Sequence, residues 1–246
     1  MDPLELLSGM RYNSERWAPK TGEPFYLHLS DLRTALEVVS TREDITVLDY
    51  RCGGSPYRGL FPNAKYRRAD FVAIPDLDYV FTEDSQIAAE SETFDLVLST
   101  QVLEHVRNPQ GYLKEALRLL RPGGRLVLST HGIFEEHGCP FDFRRWTAEG
   151  LRSEAASAGF AVEEVQKITT DGRAIAFMLD WHWGKLRGSR FSLIGMFIAI
   201  LNRYIAHNRA KFHQWCDNNQ QEQRIVSSEA PAATIYIALV LLARKP

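Results

Sequence analysis

Apolar and polar positions change period repeatedly along the chain, and the order of those changes predicts the fold. The first 25 residues are polar, aromatic and broken by proline, with no clear period, and predict an extended arm or cap. Leu32, Leu36 and Val39 then recur at helical spacing behind Ser30, which predicts an N-cap with Asp31 beside the positive helix end. Ile45 to Tyr50 is a β-branched run that stops at Gly53-Gly54, followed by a weaker strand signal over Ala64 to Phe71 and a stronger one over Phe94 to Thr100. Asn108-Pro109 supplies an N-cap and a proline for the first helical position, and Tyr112, Leu113, Ala116, Leu117 and Leu120 form one apolar face behind them. Arg121-Pro122-Gly123-Gly124 ends that helix, and Arg125 to Thr130 reads as a strand. Thr147 and Glu149 open a further helix that Gly159 closes, with strands over Ala161 to Ile168 and Thr234 to Leu242. Repeated strand-then-helix order predicts an α/β, Rossmann-like, mostly parallel sheet with helices on both faces. The whole chain reads as one domain: an N-terminal arm over 1–29, a core over 30–170, a helical insertion over 171–233 and a last strand over 234–246.

Composition narrows the function. Of 246 residues, 45% are hydrophobic and 24% charged, which excludes disorder as the main state. A net charge of -2 gives no basic footprint, so no nucleic-acid partner is expected. Three widely spaced cysteines (Cys52, Cys139, Cys216) form neither a disulfide framework nor a Cys-x-x-Cys knuckle, and a reducing cytoplasm is the expected home. The opening Met-Asp-Pro-Leu-Glu has no basic and then apolar run, so no secretion signal is expected. Phe191 to Leu201 is too short to span a bilayer, which takes ~20 apolar residues. Lys185, Arg187 and Arg190 just upstream leave membrane-surface docking as a minor reading, and no membrane association is expected.

In open α/β sheets ligands bind beyond the carboxyl ends of the strands. The first strand ends Val47-Leu48-Asp49-Tyr50-Arg51-Cys52-Gly53-Gly54-Ser55, and Asp70 ends the second. An acid about 20 residues after the first strand is placed to accept hydrogen bonds from ribose hydroxyls. Residues 51 to 56 read Arg-Cys-Gly-Gly-Ser-Pro and not Gly-x-Gly-x-x-Gly, which weakens a nicotinamide oxidoreductase reading.

Three motifs in order then carry a resemblance: Val-Leu-Asp-x-x-Cys-Gly (47–53), Phe-Asp-Leu-Val-Leu-Ser-Thr-Gln-Val-Leu-Glu-His-Val (94–106) and Leu-Arg-Pro-Gly-Gly-Arg-Leu-Val-Leu-Ser-Thr (120–130). Together they closely resemble the class I S-adenosylmethionine-dependent methyltransferases, and among these the type-11 methyltransferase domain. The resemblance covers roughly residues 44 to 170, with the final strand. It implies a seven-stranded sheet with a reversed last hairpin, S-adenosyl-L-methionine as methyl donor, and cofactor contacts at matching positions. The loop Asp49, Tyr50, Arg51, Cys52 and Gly53 would lie against the methionine part. Asp70 and Phe71 would hold ribose and adenine, Asp84, Ser85 and Gln86 would meet adenine after the third strand, and Thr100 and Gln101 would end the fourth strand beside the sulfonium. The family usually has glycine where this chain has Arg51, and often where it has Ser55. We expect the Arg51 side chain to turn outward to solvent. A crowded cofactor loop, and with it a catalytically silent relative acting as a binding protein, is the alternative.

Past the fourth strand, Glu104-His105 stands where the family's acceptor pocket opens, with His131 on the same rim after the fifth. A hydroxyl acceptor needs a base, and histidine is suited to that role. His105 and His131 are the catalytic candidates, against a reading in which Glu104 and His105 only position the next helix. The loop His131 to Thr147 resembles a His-x-x-Pro-x-Asp-x-x-Arg-Trp-Thr pattern of some of these domains, and Glu104, His137, Asp142, Arg145 and Trp146 are candidate acceptor contacts. An Asp142–Arg145 ion pair packed on Trp146 is the structural alternative. His137, Cys139 and Asp142 match no standard metal template, so no metal is expected. The expected reaction is O-methylation of a small molecule or glycan intermediate.

Overall fold

Eight strands of the described residues share one sheet, and their order places a ligand-binding crevice. In the computed structural model the described residues are 13–71, 76–82, 86–183, 185, 192–229 and 233–246. Helix α1 (Tyr26–Leu36) precedes β1 (Thr46–Tyr50), β2 (Lys65–Asp70), β3 (Tyr79–Val80) and β4 (Phe94–Thr100). Then come α2 (Pro109–Leu119), β5 (Leu120–His131), α3 (Ala148–Ser157) and β6 (Ala161–Thr170). Helices α4 (Asp171–Trp183) and α5 (Leu193–Asn219), β7 (Ile225–Ser227) and β8 (Tyr236–Arg244) complete the chain. The sheet order is β3-β2-β1-β4-β5-β8-β6-β7. Pairings from β3 through β5 are parallel, whereas β8 runs antiparallel to both β5 and β6. Chain order reverses between β1 and β4, and that switch point is where the loops after the two strands part.

Alternation along the strands explains the helices on both faces. Leu48, Val97, Leu126 and Leu128 point into one core with α2 and α3, while Val47, Leu96, Leu98 and Val127 point into the other with α1. The proline start of α2 is as the sequence predicts, with the Asn108 carboxamide accepting the Gly111 N–H at 3.0 Å. Thr147 caps α3 in the same way through the Gly150 N–H at 3.0 Å.

Four expectations change. Helix α1 starts at Tyr26, behind Phe25, so Ser30 is an interior residue and not an N-cap. Burial decides this: Leu27, Leu29 and Leu32 are all inside. Asp31 is accordingly not at a helix end; it is fully buried and accepts from Arg173 at 2.7 and 2.9 Å and from Arg224 at 2.8 Å. Arg173 also reaches Asp217 at 2.8 Å, tying α1, α4 and α5 together, and deleting one partner of such a buried network costs ~3–5 kcal/mol. Strand β5 begins at Leu120, before the Pro-Gly-Gly run, because Leu120 already pairs with Phe94. The short β7 adds an eighth strand by pairing antiparallel to β6 at the sheet edge, inside the segment read as purely helical. Among the described residues no helix is long and apolar enough to cross a membrane.

Candidate active site

The loop after β1 is bound to β2 by its backbone. Arg51 and Cys52 N–H groups both donate to the Ala69 carbonyl, at 2.9 and 3.0 Å. The backbone of this loop is left-handed at Arg51 (φ 67°) and Ser55 (φ 55°), the two positions where the resembled family usually or often carries glycine. A side chain in that region costs roughly 1–2 kcal/mol, so Arg51 is a strained replacement. Its guanidinium does not turn outward. It lies 4.3 Å from the centre of the Phe71 ring, with Nη1 3.5 Å from the His105 carbonyl, bridging the loops after β1 and β4. The expectation of a solvent-facing Arg51 fails because Phe71 offers a ring face, itself backed by Phe81 at 4.8 Å.

Asp70, at the end of β2, accepts the Gly53 N–H at 2.7 Å and the Phe71 N–H at 2.7 Å. The glycine loop and the carboxylate are therefore one unit. Below them Asp49 and Tyr50 are buried: Asp49 accepts from the Tyr66 hydroxyl at 2.8 Å, and the Tyr50 carbonyl accepts from Tyr112 at 3.1 Å. The arm closes the loop from outside, Asn13 donating to the Gly54 carbonyl at 3.0 Å. A Cβ at position 54 would lie 2.1 Å from the Asn13 carboxamide, so a larger residue there would push that side chain off the loop. Of the expected adenine contacts, Asp84 and Ser85 lie outside the described residues, and Gln86 is exposed, bonded by its backbone to Thr82.

Burial lifts the Asp49 carboxyl to about 6, against hydrogen bonds from Tyr66 and Ser55 that pull it down. A carboxyl raised on folding contributes most below its unfolded value near 4 and loses that contribution as pH rises through about 6. Asp49→Asn should therefore melt higher than the wild type at pH 7.5, by at most ~3 kcal/mol, with the two converging near pH 4. Equal melting at pH 7.5 would mean the buried carboxylate is already fully compensated.

Beyond β4 and β5 the polar groups converge. A single turn, Leu103–His105, buries Glu104 completely. One Glu104 oxygen, Oε2, accepts from Thr130 at 2.8 Å, while Oε1 has no hydrogen-bond partner and lies 3.4 Å from His131 Nε2 and 3.9 Å from His105 Nε2. Burial raises the Glu104 carboxyl above its ordinary value and holds His131 well below the usual imidazole range, so His131 is neutral. His105 Nδ1 is 2.7 Å from the Phe141 carbonyl; a carbonyl only accepts, so the proton sits on Nδ1 and Nε2 keeps its lone pair.

The loop after β5 is organised by Arg145. It grips Asp142 at 2.6 and 2.7 Å and bonds the carbonyls of Phe134, Glu135 and Arg144. Asp142 in turn accepts the His137 N–H at 2.8 Å. His137 thereby meets His131 and His105, with ring centres 5.1 and 4.7 Å apart. Trp146 packs instead against the helix α2–α3 core. Thr100 ends β4, and Gln101 follows with its side chain turned to Ser129 at 3.3 Å.

A cavity of about 230 Å³ opens here, lined by Gln101, His131 and His137 and walled by residues the sequence did not single out: Arg16, Phe25, His28 and Phe134. Phe134 stacks on His131 at 4.2 Å, and Phe25 packs on Trp181 at 4.3 Å. His28 is buried and driven down to about 3 by burial and then by Arg16. These aromatics sit on the arm, α1 and the loop, far apart in sequence, and no local pattern marks them.

Residues 26–165 match a family model described as a methyltransferase domain. The "Ubiquinone biosynthesis O-methyltransferase" of Parvibaculum lavamentivorans is 32% identical over 36% of this chain and 41% of its own length. The protein of that name from Xanthomonas oryzae pv. oryzae is 33% identical over 48% of this chain and 56% of its own. The chain thus spans about half the length of these curated relatives. Among solved structures, phosphoethanolamine N-methyltransferase 2 of Haemonchus contortus, in complex with S-adenosyl-L-methionine, matches with a TM-score of 0.54 at 14% identity, over 98% of this chain and 56% of that one. The [4+2]-cyclase SpnF matches with a TM-score of 0.57 at 17% identity, over 98% and 92%. At such identities these two show the fold alone.

Proposed function

Since the chain belongs to the methyltransferase-domain family and uses S-adenosylmethionine as methyl donor, we propose that it methylates a hydroxyl oxygen on a small acceptor with a planar or apolar body. The observation that carries this reading is the His105 imidazole, whose ring packs 4.7 Å from that of His137 on the wall of an aromatic-walled cavity beyond β4 and β5. The names of the curated relatives, O-methyltransferases, support the atom.

The residues present fit the cofactor. Asp70 holds two backbone N–H groups and, as a carboxylate with about four acceptor sites, has the chemistry to take a vicinal diol as well. Space beside Gly53 is open, with nothing within 4 Å of an added Cβ. The Phe71 face under Arg51 already accommodates one flat group. Asp70 would hold ribose, Phe71 would stack adenine, and the loop from Arg51 to Gly53 would meet the methionine part. The cofactor supplies a methyl group on a positively charged sulfur.

His105 Nε2 then takes the acceptor's hydroxyl proton as the oxygen forms its bond to the methyl carbon. The bound cofactor would give up its methyl with the carbon–sulfur electron pair left on sulfur, and positioning by the cavity walls does much of the rest. Incubating the protein with labelled S-adenosylmethionine and a panel of phenols, catechols and aliphatic alcohols tests the reading. A labelled methyl ether is expected from a ring-bearing hydroxyl. Transfer only to amines or thiols would overturn it.

Arg51 has to leave Phe71 for adenine to stack there. Arg51→Gly removes that displacement, a cation–π contact worth about 1 kcal/mol, and should tighten S-adenosylhomocysteine binding about fivefold in calorimetry. Weaker binding would mean that the guanidinium pairs with the cofactor carboxylate instead.

A further inference from the structure

We infer that Glu104, His131 and His137 form a binding site for one divalent transition-metal cation of the zinc or cobalt type, with His131 and His137 standing in the wall of the acceptor cavity. Each residue offers one ligand atom, and the three atoms all lie within 4.8 Å of one another. They come from two separate elements, the turn after β4 and the strand end and loop after β5, so the cluster is a product of the fold and not of local sequence.

The donor atoms are placed as a metal needs them. Glu104 is buried with Oε1 lacking any hydrogen-bond partner, and among the described residues no arginine or lysine ion-pairs with it. Arg145, the nearby cation of the loop, is committed to Asp142. An isolated buried carboxylate is costly unless a cation meets it. His131 Nε2 lies 3.4 Å from Glu104 Oε1, so the two point at one spot. His137 Nδ1 is 3.1 Å from the Glu135 carbonyl and 3.5 Å from the Asp142 carboxylate, which assigns its proton there and turns Nε2 into the free donor. Metal-bound histidines characteristically give their other N–H to such a carbonyl or carboxylate.

Two imidazoles and one carboxylate favour zinc-type cations over magnesium or calcium, which prefer oxygen. Ligands at ~2.0–2.2 Å from one ion sit closer than 4.8 Å, so the site closes inward by about 1 Å, a shift the half-buried His137 loop can supply. Three protein ligands leave a position open toward the cavity. Resting on the reading of that cavity as the acceptor site, the open position takes the acceptor oxygen and lowers its pKa before His105 receives the proton.

Cobalt(II) titrated into metal-stripped protein, without cofactor or acceptor, tests the site separately from catalysis. One equivalent should bind and give a visible ligand-field band, which zinc(II) abolishes by competition. His137→Ala, on a loop outside the core, and Glu104→Gln, which keeps the shape, should each weaken binding by about 10²-fold or more, with circular dichroism unchanged. Absence of stoichiometric cobalt binding to the wild type, or a band that survives either substitution, overturns the proposal. Methyl transfer that fails while cobalt binds as described counts against the acceptor reading and leaves the metal site standing.

Discussion

His105→Ala is expected to cut methyl transfer by ~10²-fold or more while leaving S-adenosylhomocysteine affinity within about threefold. The split follows from where the two ends of the residue lie. The imidazole holds Nδ1 on the Phe141 carbonyl and aims Nε2 at the Glu104 side, whereas the backbone carbonyl of His105 faces the Arg51 guanidinium. Alanine keeps that carbonyl and loses the base. Single-turnover transfer with an identified acceptor measures one half, and calorimetry the other. Normal turnover would return His105 to shaping the loop that carries Phe141 and His137.

The sheet was readable because its strands obey a local rule. Leu96, Val97 and Leu98 alternate between two cores, and the Asn108-Pro109 start of α2 depends on nothing distant. Helix α1 was misread for the opposite reason: Ser30 is a good cap by local chemistry, but burial of Leu27 and the long-range pairing of Asp31 with Arg173 extend the helix past it. Arg51 shows the same limit at the site. Its replacement of glycine was visible, yet the direction of its side chain was set by Phe71, which arrives from the next strand.

The cavity divides along the same line. Glu104, His105 and His131 stand at strand ends, where the motif order already points, and these are brought together. Phe25, His28 and Phe134 reach the cavity only because α1 crosses the end of the sheet and packs on α4 and α5. The third strand is short and the stretch after it weakly patterned, so an adenine contact at Gln86 had no firm register behind it, and Gln86 lies exposed beyond Tyr79–Val80.

Asp70→Ala is expected to weaken S-adenosylhomocysteine binding by ~1.5–3 kcal/mol, roughly 10- to 150-fold, the scale of charge-assisted hydrogen bonds. Two losses combine in it. The ribose hydroxyls lose their acceptor, and the Gly53 and Phe71 N–H groups lose the carboxylate that fixes loop and ring. Asp70→Asn separates them in part: its one carboxamide oxygen still accepts the Gly53 N–H while the Phe71 N–H loses its acceptor, so the glycine loop stays clamped with the charge gone, and affinity should fall by an intermediate amount. Adenosine as a truncated ligand sharpens the reading, because its binding should drop in parallel with that of the whole cofactor when ribose recognition is what was lost. Unchanged affinity for both ligands in Asp70→Ala would remove Asp70 from the cofactor site and leave it as the clamp of the glycine loop.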